Sequence, residues 1–325
     1  MHAELTTMVE HLLSRVVHGL RRRYHRLRRT DLLWRVLTHR ARKAYHVSST
    51  ANSLSPAQIG IRDSLRAHGI AVTSFTDLFE GSDLERLIVL CKREWQRWQN
   101  DEEDFRTNIL AQKKGGKKGS VKEFIVPLYG GGWTMPVLDL SNPFIAYALS
   151  DAVLRPIAAY LEVLPRFNSF ALHATEVVAP GEIPQYSQRW HRDPEDRRMV
   201  KTFLYLNDVL DEGAGPFTYV RGSHDGGKWR GVFPQDPPSG VYPPEGAVES
   251  VIPSSDVMVC TGARGTLIFA DTTGLHRGGL STRDRRFMFS AGYVTDASEH
   301  PPKFKKGKQD DLGALSALGR AALPF

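Results

Sequence analysis

Apolar positions Leu12, Val16, Leu20, Tyr24 and Leu27 recur at helical spacing near the start of the chain, and Arg15, Arg21, Arg22, Arg23, Arg26, Arg28 and Arg29 fill the positions between them. The pattern predicts a basic amphipathic helix. Ser55, Pro56 and Gln58 supply an N-cap, a first-turn proline and a capping-box partner, and Gly69 supplies a stop, so a helix is expected over 56–68. Ser82, Asp83, Leu84 and Glu85 repeat the capping pattern ahead of an amphipathic run to Trp98. Between these helices the β-branched stretch Ile70 to Thr73 reads as a short strand. Residues 113–120, KKGGKKGS, hold no apolar member and read as a surface loop suited to a lid. After Asn142-Pro143 the positions Ile145, Leu149, Val153, Ile157 and Leu161 restore helical spacing.

From Phe167 the pattern changes to short apolar or alternating runs separated by Gly, Pro and Asp: FALHATEVV, VKTFLYL, GPFTYV, DVMVC, GTLIFA and RFMFSAGYV. Strands of this length without long helices between them predict an antiparallel barrel or jelly roll, giving an α+β chain with a mainly β core. The proline-rich segment 224–255 is too long for a hairpin turn and reads as a binding loop. Three regions are expected: a basic helical N-terminal extension over 1–54, a barrel domain with helical support over 55–300, and a C-terminal tail over 301–325.

Charge refines this division. The net charge of +7 resides in the first 50 residues, which hold 11 Lys or Arg and 3 Asp or Glu, whereas the other 275 hold 32 basic and 33 acidic groups. A nucleic-acid-binding body is therefore not expected, while the basic helix is of a type that can touch an anionic membrane surface. Two cysteines, Cys91 and Cys260, make neither a metal cluster nor a secreted disulfide framework. With no secretory leader and no uncharged apolar stretch of transmembrane length read from the chain, a cytoplasmic protein is expected.

The chemistry gathers at Trp190-His191-Arg192-Asp193, where an imidazole and a carboxylate two residues apart point to one side of an extended segment. Far downstream, after the strand GTLIFAD, lies His276 among Gly274, Gly278 and Gly279. Two imidazoles and one carboxylate on one face of an iron leave three positions open, the facial triad of Fe(II) oxygenases, unlike the closed tetrahedron of structural zinc. A keto acid can chelate through two open positions, and its far carboxylate then needs a fixed cation. Arg283, Arg285 and Arg286 all follow His276. Arg286, Met288 and Ser290 share one face of their strand, which turns Arg286 inward with Ser290 beside it; Arg285 stays open as the alternative.

The runs WHRDPEDRRMVKTFLYLNDV, GAGPFTYVRGSH, DTTGLHRGG and RFMFSAGY resemble the phytanoyl-CoA dioxygenase family over roughly residues 60 to 295. The resemblance implies a cupin-like double-stranded β-helix with N-terminal and flanking helices. It implies His191, Asp193 and His276 as iron ligands, Arg286 as the anchor for 2-oxoglutarate, and co-substrate contacts from Thr202 and Tyr205. It implies hydroxylation of a small-molecule or carrier-linked substrate with Fe(II), 2-oxoglutarate and O2, releasing succinate and CO2. The retained Asp193 argues for hydroxylation over halogenation, and His224 in RGSH is expected to be structural. The rival readings are a 2-oxoglutarate-independent cupin-like metal protein and a non-catalytic relative. Substrate identity and oligomeric state are not written in the sequence.

Overall fold

The computed structural model describes residues 15–17, 19–47, 54–100, 125–130, 135–179, 181–237, 240–307 and 312–325 of the 325-residue chain. The expected lid at 113–120 lies outside them. Residues 19–28 (α1), Asp31–Leu37 (α2) and His39–Val47 (α3) open the described chain. They do not form a separate extension, because Trp34 and Ala41 are buried in the main core.

Helix α4, Pro56–His68, has the capping box read from the sequence, with Gln58 N donating to Ser55 Oγ and Gly69 closing the helix at φ +77°. Strand β1, Ile70–Ser74, follows directly. Helix α5, Gly81–Asn100, starts one residue before Ser82, so that serine lies within the first turn and is not the cap. Strand β2, Ile125–Gly130, was not anticipated. The helical pattern after Asn142 divides into α6, Pro143–Ala148, and α7, Asp151–Leu161. Taken together, Pro143–Leu161 is long and apolar enough to cross a membrane by length and composition alone, but it contains Asp151 and Arg155, and 72% of its most apolar window is buried inside the fold.

The barrel strands are β3 (Arg166–Thr175), β4 (Val200–Tyr205), β5 (Phe217–Val220), β6 (Val257–Cys260), β7 (Thr266–Ala270), β8 (His276–Gly278) and β9 (Phe287–Val294), with the short helix α8 (Ala247–Val251) before β6. One sheet has the order β1-β7-β4-β9-β3-β2 and the other β6-β5-β8, and every named pairing is antiparallel. A bridge between His191 and His276 adds the residue-191 segment beside β8 as a fourth rung of the smaller sheet. Successive segments thus cross between two facing sheets, and the closing strand β9 lies between the early strands β3 and β4. That order defines a double-stranded β-helix, or jelly roll.

Alternation along the strands divides the core in two. Val200, Leu204, Phe269, Phe289 and Tyr293 pack outward against α6 and α7, and Phe203, Tyr205, Phe217, Ile268 and Met288 fill the space between the sheets. The segment 301–325 is not a free tail. Helix α9, Ala317–Ala321, contacts α7, and Phe304, Leu318 and Ala322 are part of the outer core.

Candidate metal centre

His191 and His276 face each other across the smaller sheet. His191 N donates to His276 O at 2.9 Å and His276 N to His191 O at 3.0 Å, which makes them a directly opposed hydrogen-bonded pair. The ring centroids are 4.1 Å apart. Asp193, two residues along the same extended segment, turns to the same side and is fixed by its N–H donating to Thr272 O at 2.9 Å. Asp193 Oδ1 lies 3.9 Å from His191 Nε2, and Asp193 Oδ2 lies 3.6 Å from His276 Nε2. All three residues are buried, with their ligand atoms within 4.8 Å of one another.

The other ring nitrogens define the tautomers. His191 Nδ1 lies 2.8 Å from Arg189 O, and His276 Nδ1 lies 2.9 Å from Gly274 O. A carbonyl can only accept, so each Nδ1 carries the proton and each Nε2 presents its lone pair to Asp193. Burial, reinforced by the neighbouring His191, pushes the His276 imidazole down to about 3, so it is neutral at physiological pH. Burial opposes the charge on Asp193, but the Lys201 ammonium, then His276 and His191, outweigh it and hold the carboxyl below the usual range. Two imidazoles and an ionised carboxylate are the donor set of an iron facial triad. Ligand bonds of about 2.0–2.2 Å place cis donors roughly 3 Å apart, so these residues fit one ion after small inward shifts.

A cavity of about 420 Å³ opens onto this group, lined among others by Ile125, Pro127, Phe170, His173, Phe203, Met288 and both histidines. Arg286 and Ser290 line it too, as the alternation of β9 requires. Arg286 is 2% exposed and donates through Nη1 to Gly215 O, while its Nε has no hydrogen-bond partner among the described residues. Gly215 adopts φ +65°, and a Cβ there would meet Gly279 O at 2.9 Å. Burial lowers the Arg286 pKa, with the Tyr205 hydroxyl opposing. No carboxylate partners this arginine among the described residues. Arg285 points away: its Nη2 donates to Glu176 Oε2 at 2.8 Å, and its guanidinium lies 4.3 Å from the Trp95 ring centre. Arg283 is paired with Asp211 and Asp284 at the surface.

Thr202 corrects the sequence reading. On β4 the residues that face the barrel interior are Lys201, Phe203 and Tyr205, so Thr202 turns outward toward Tyr147 and Tyr293 and cannot reach a ligand in the cavity. Tyr205 faces inward, but its hydroxyl donates to Cys260 O at 2.9 Å and accepts from Phe217 N at 2.8 Å, which makes it a support beneath Arg286. His224 lies apart from the triad, with Nε2 3.2 Å from Arg66 O. Trp190 donates to Glu249 Oε1 at 2.6 Å and ties α8 to the ligand segment.

Several contributors escaped the sequence reading. Lys201 Nζ lies 2.6 Å from Asp193 Oδ2, a charge contact whose angles are not those of a directed hydrogen bond. Tyr242, from the long loop, stacks on His191 with centroids 5.6 Å apart. Arg192 turns away from the cavity and donates to six loop carbonyls, including those of Ser223, Thr273 and Val232. Gln235 donates to the carbonyl of Asp193, and Arg29 donates to Gln235 Oε1 at 2.9 Å and to Pro194 O. The basic helix α1 therefore sits against the ligand loop, with Arg22 and Arg26 on Asp236 and His25 and Arg28 on Glu299.

No protein-family model matches the chain, and no curated protein matches it in sequence. Among solved structures it is similar to the epimerase SnoN in complex with Fe3+, alpha ketoglutarate and nogalamycin RO, with 14% identity, a TM-score of 0.48, and coverage of 76% of this chain and 87% of that one. EctD from S. alaskensis with bound Fe gives 15%, 0.47, 79% and 82% by the same measures. HygX from Streptomyces hygroscopicus with nickel and 2-oxoglutarate gives 18%, 0.44, 75% and 88%. At these identities and scores the likeness assigns neither a residue role nor a substrate to this chain.

Proposed function

We propose that the chain is a non-haem Fe(II)/2-oxoglutarate-dependent oxygenase of the phytanoyl-CoA dioxygenase type that hydroxylates a small-molecule or carrier-linked substrate. The observation that carries this reading is one cavity lined by both His191 and His276, with Asp193 close behind them, and by a buried guanidinium that has no carboxylate partner among the described residues. A buried uncompensated cation is costly, and a dicarboxylate spanning metal and arginine resolves that cost. The 2-oxoglutarate-independent reading leaves Arg286 without a purpose.

His191, Asp193 and His276 would hold the iron through Nε2, carboxylate oxygen and Nε2, and Arg286 would receive the far carboxylate of 2-oxoglutarate. When bound, iron with 2-oxoglutarate and O2 supplies the oxidant that converts a C–H bond to an alcohol as 2-oxoglutarate becomes succinate and CO2. The chain's own part is geometric. The Arg189 and Gly274 carbonyls hold the imidazoles in the metal-binding tautomer, the Thr272 carbonyl and Gln235 fix the Asp193 backbone, and Phe170, Phe203 and Met288 give the cavity its apolar wall.

The test is a screen of candidate substrates read by succinate release in air. Succinate should require Fe(II) and 2-oxoglutarate together and should vanish in His276→Ala. Succinate that persists in that variant contradicts the proposal.

A further inference from the structure

Lys201 stands on β4 with its side chain directed into the cavity, beside the metal-binding face and opposite β9. Its stem runs past Gly292, whose hydrogen side chain leaves the room: a Cβ there would lie 2.4 Å from Ser169 Oγ and 3.7 Å from both Cγ and Cε of Lys201. The ammonium is largely enclosed, with the side chain 20% exposed, and it touches Asp193 Oδ2. Along the cavity wall the cationic side chains are Lys201, Arg286 and Lys303, and none of the described lining residues is acidic. Lys303 is already paired with Glu195 near the mouth.

A charge count in the loaded site separates Lys201 from the other two. A dication, the Asp193 carboxylate, a doubly charged keto acid and Arg286 sum to zero. Lys303 and Glu195 also sum to zero. Glu195 attracts Lys201 as well as Lys303, but one carboxylate cannot balance two ammoniums, so one positive charge remains in the cavity, and Lys201 is the enclosed ammonium whose nearest carboxylate would be shared with the metal. A strut for Asp193 would not need this charge, because the aspartate backbone is held by Thr272 O and Gln235 and its carboxylate would be held by the ion.

Resting on the oxygenase reading above, we propose that Lys201 is the specificity-determining residue for an oxyanion on the substrate, a carboxylate or phosphate seated between β4 and β9. Ser169, His173 and Ser290 line the same cavity with hydrogen-bonding groups, while Ile125, Pro127 and Met288 offer an apolar surface for the remainder of the substrate.

The experiment uses the full chain loaded anaerobically with Fe(II) and 2-oxoglutarate. Four probes of equal chain length are titrated into it: hexanoate, hexyl phosphate, hexan-1-ol and hexylamine. Binding is read as perturbation of the visible metal-to-ligand charge-transfer band and as a rise in melting temperature. One or both anions should bind about tenfold or more tightly than the alcohol and the amine, and the better of the two identifies the group. Lys201→Met should erase that preference while keeping the 2-oxoglutarate affinity, and Lys201→Arg should keep the preference. Equal binding of anion and alcohol by the wild-type protein overturns the assignment without needing any variant to fold. Loss of 2-oxoglutarate binding in Lys201→Met also overturns it, because the lysine would then serve the co-substrate. A wild-type protein that gives no charge-transfer band contradicts the oxygenase reading itself, whereas a normal band without anion preference contradicts only the role given to Lys201.

Discussion

Replacing Arg286 by Met removes one charge while keeping most of the volume, and the structure predicts opposite consequences for stability and for binding. The guanidinium is fully buried and donates to one backbone carbonyl, with no carboxylate to balance it. In the absence of co-substrate its removal relieves a desolvation cost of several kcal/mol and leaves Gly215 O without a donor, a penalty of about 1–3 kcal/mol. The variant should therefore melt at or above the wild-type temperature. Binding of 2-oxoglutarate should fall, because a hydrogen bond to a charged group contributes about 1.5–3 kcal/mol, or roughly 10- to 150-fold in Kd. The assay is an anaerobic titration of the Fe(II) protein with 2-oxoglutarate, read calorimetrically. Arg285→Ala is the control, since its partly exposed pair with Glu176 contributes about 0–1 kcal/mol and faces away from the cavity. A 2-oxoglutarate Kd unchanged in Arg286→Met, or weakened in Arg285→Ala instead, refutes the reasoning.

Other outcomes follow from the same contacts. Arg192→Ala removes a buried cation that organises the carbonyls of the 223–233 loop and should cost about 3 kcal/mol or more in urea denaturation; a loss below 1 kcal/mol would mean those bonds are readily replaced. Burial raises Asp196 from 3.8 to about 6, so between those values the folded state holds a proton that the unfolded state has released, and stability falls as pH rises through that window by up to about 3 kcal/mol. Asp196→Asn should remove this component, gaining on the wild type between pH 4 and about 7 in melts run side by side; parallel curves would contradict the assignment. Arg29→Ala should weaken Fe(II) binding about tenfold by freeing the Asp193 loop, whereas Arg22→Ala, on an exposed pair, should leave it nearly unchanged. Equal metal affinity in both variants would make α1 a passive cover.

The triad was legible because its signal is local in two places: a His-x-Asp pair on an extended segment, and a histidine directly after an apolar strand. The register that brings His191 opposite His276 is long-range, and only the folded sheet shows it. That Arg286 lines the cavity while Arg285 turns to Glu176 follows strand alternation into β9. The same rule, applied to β4, excludes Thr202 and Tyr205 from a common face and selects Lys201, Phe203 and Tyr205; Lys201 was therefore readable and was missed. The roles of Tyr242, Gln235 and Lys303 were not readable, since each reaches the site from a loop whose path depends on tertiary contacts. The basic N-terminal pattern left open what the helix touches, because its acceptors, Asp236, Glu299 and the Pro194 carbonyl, lie far away in sequence. The C-terminal segment misled for a related reason: Phe304, Leu318 and Ala322 are too sparse to show periodicity, yet each fills a gap in the outer core.

The central claim is that His191, Asp193 and His276 bind one iron on a single face and leave room for a chelating keto acid. Adding Fe(II) and 2-oxoglutarate to the protein without oxygen should produce a weak visible metal-to-ligand charge-transfer band, absent from either component alone and lost in His191→Ala, Asp193→Ala and His276→Ala. A folded wild-type protein that stays colourless, or a band that survives loss of any of the three ligands, would contradict it.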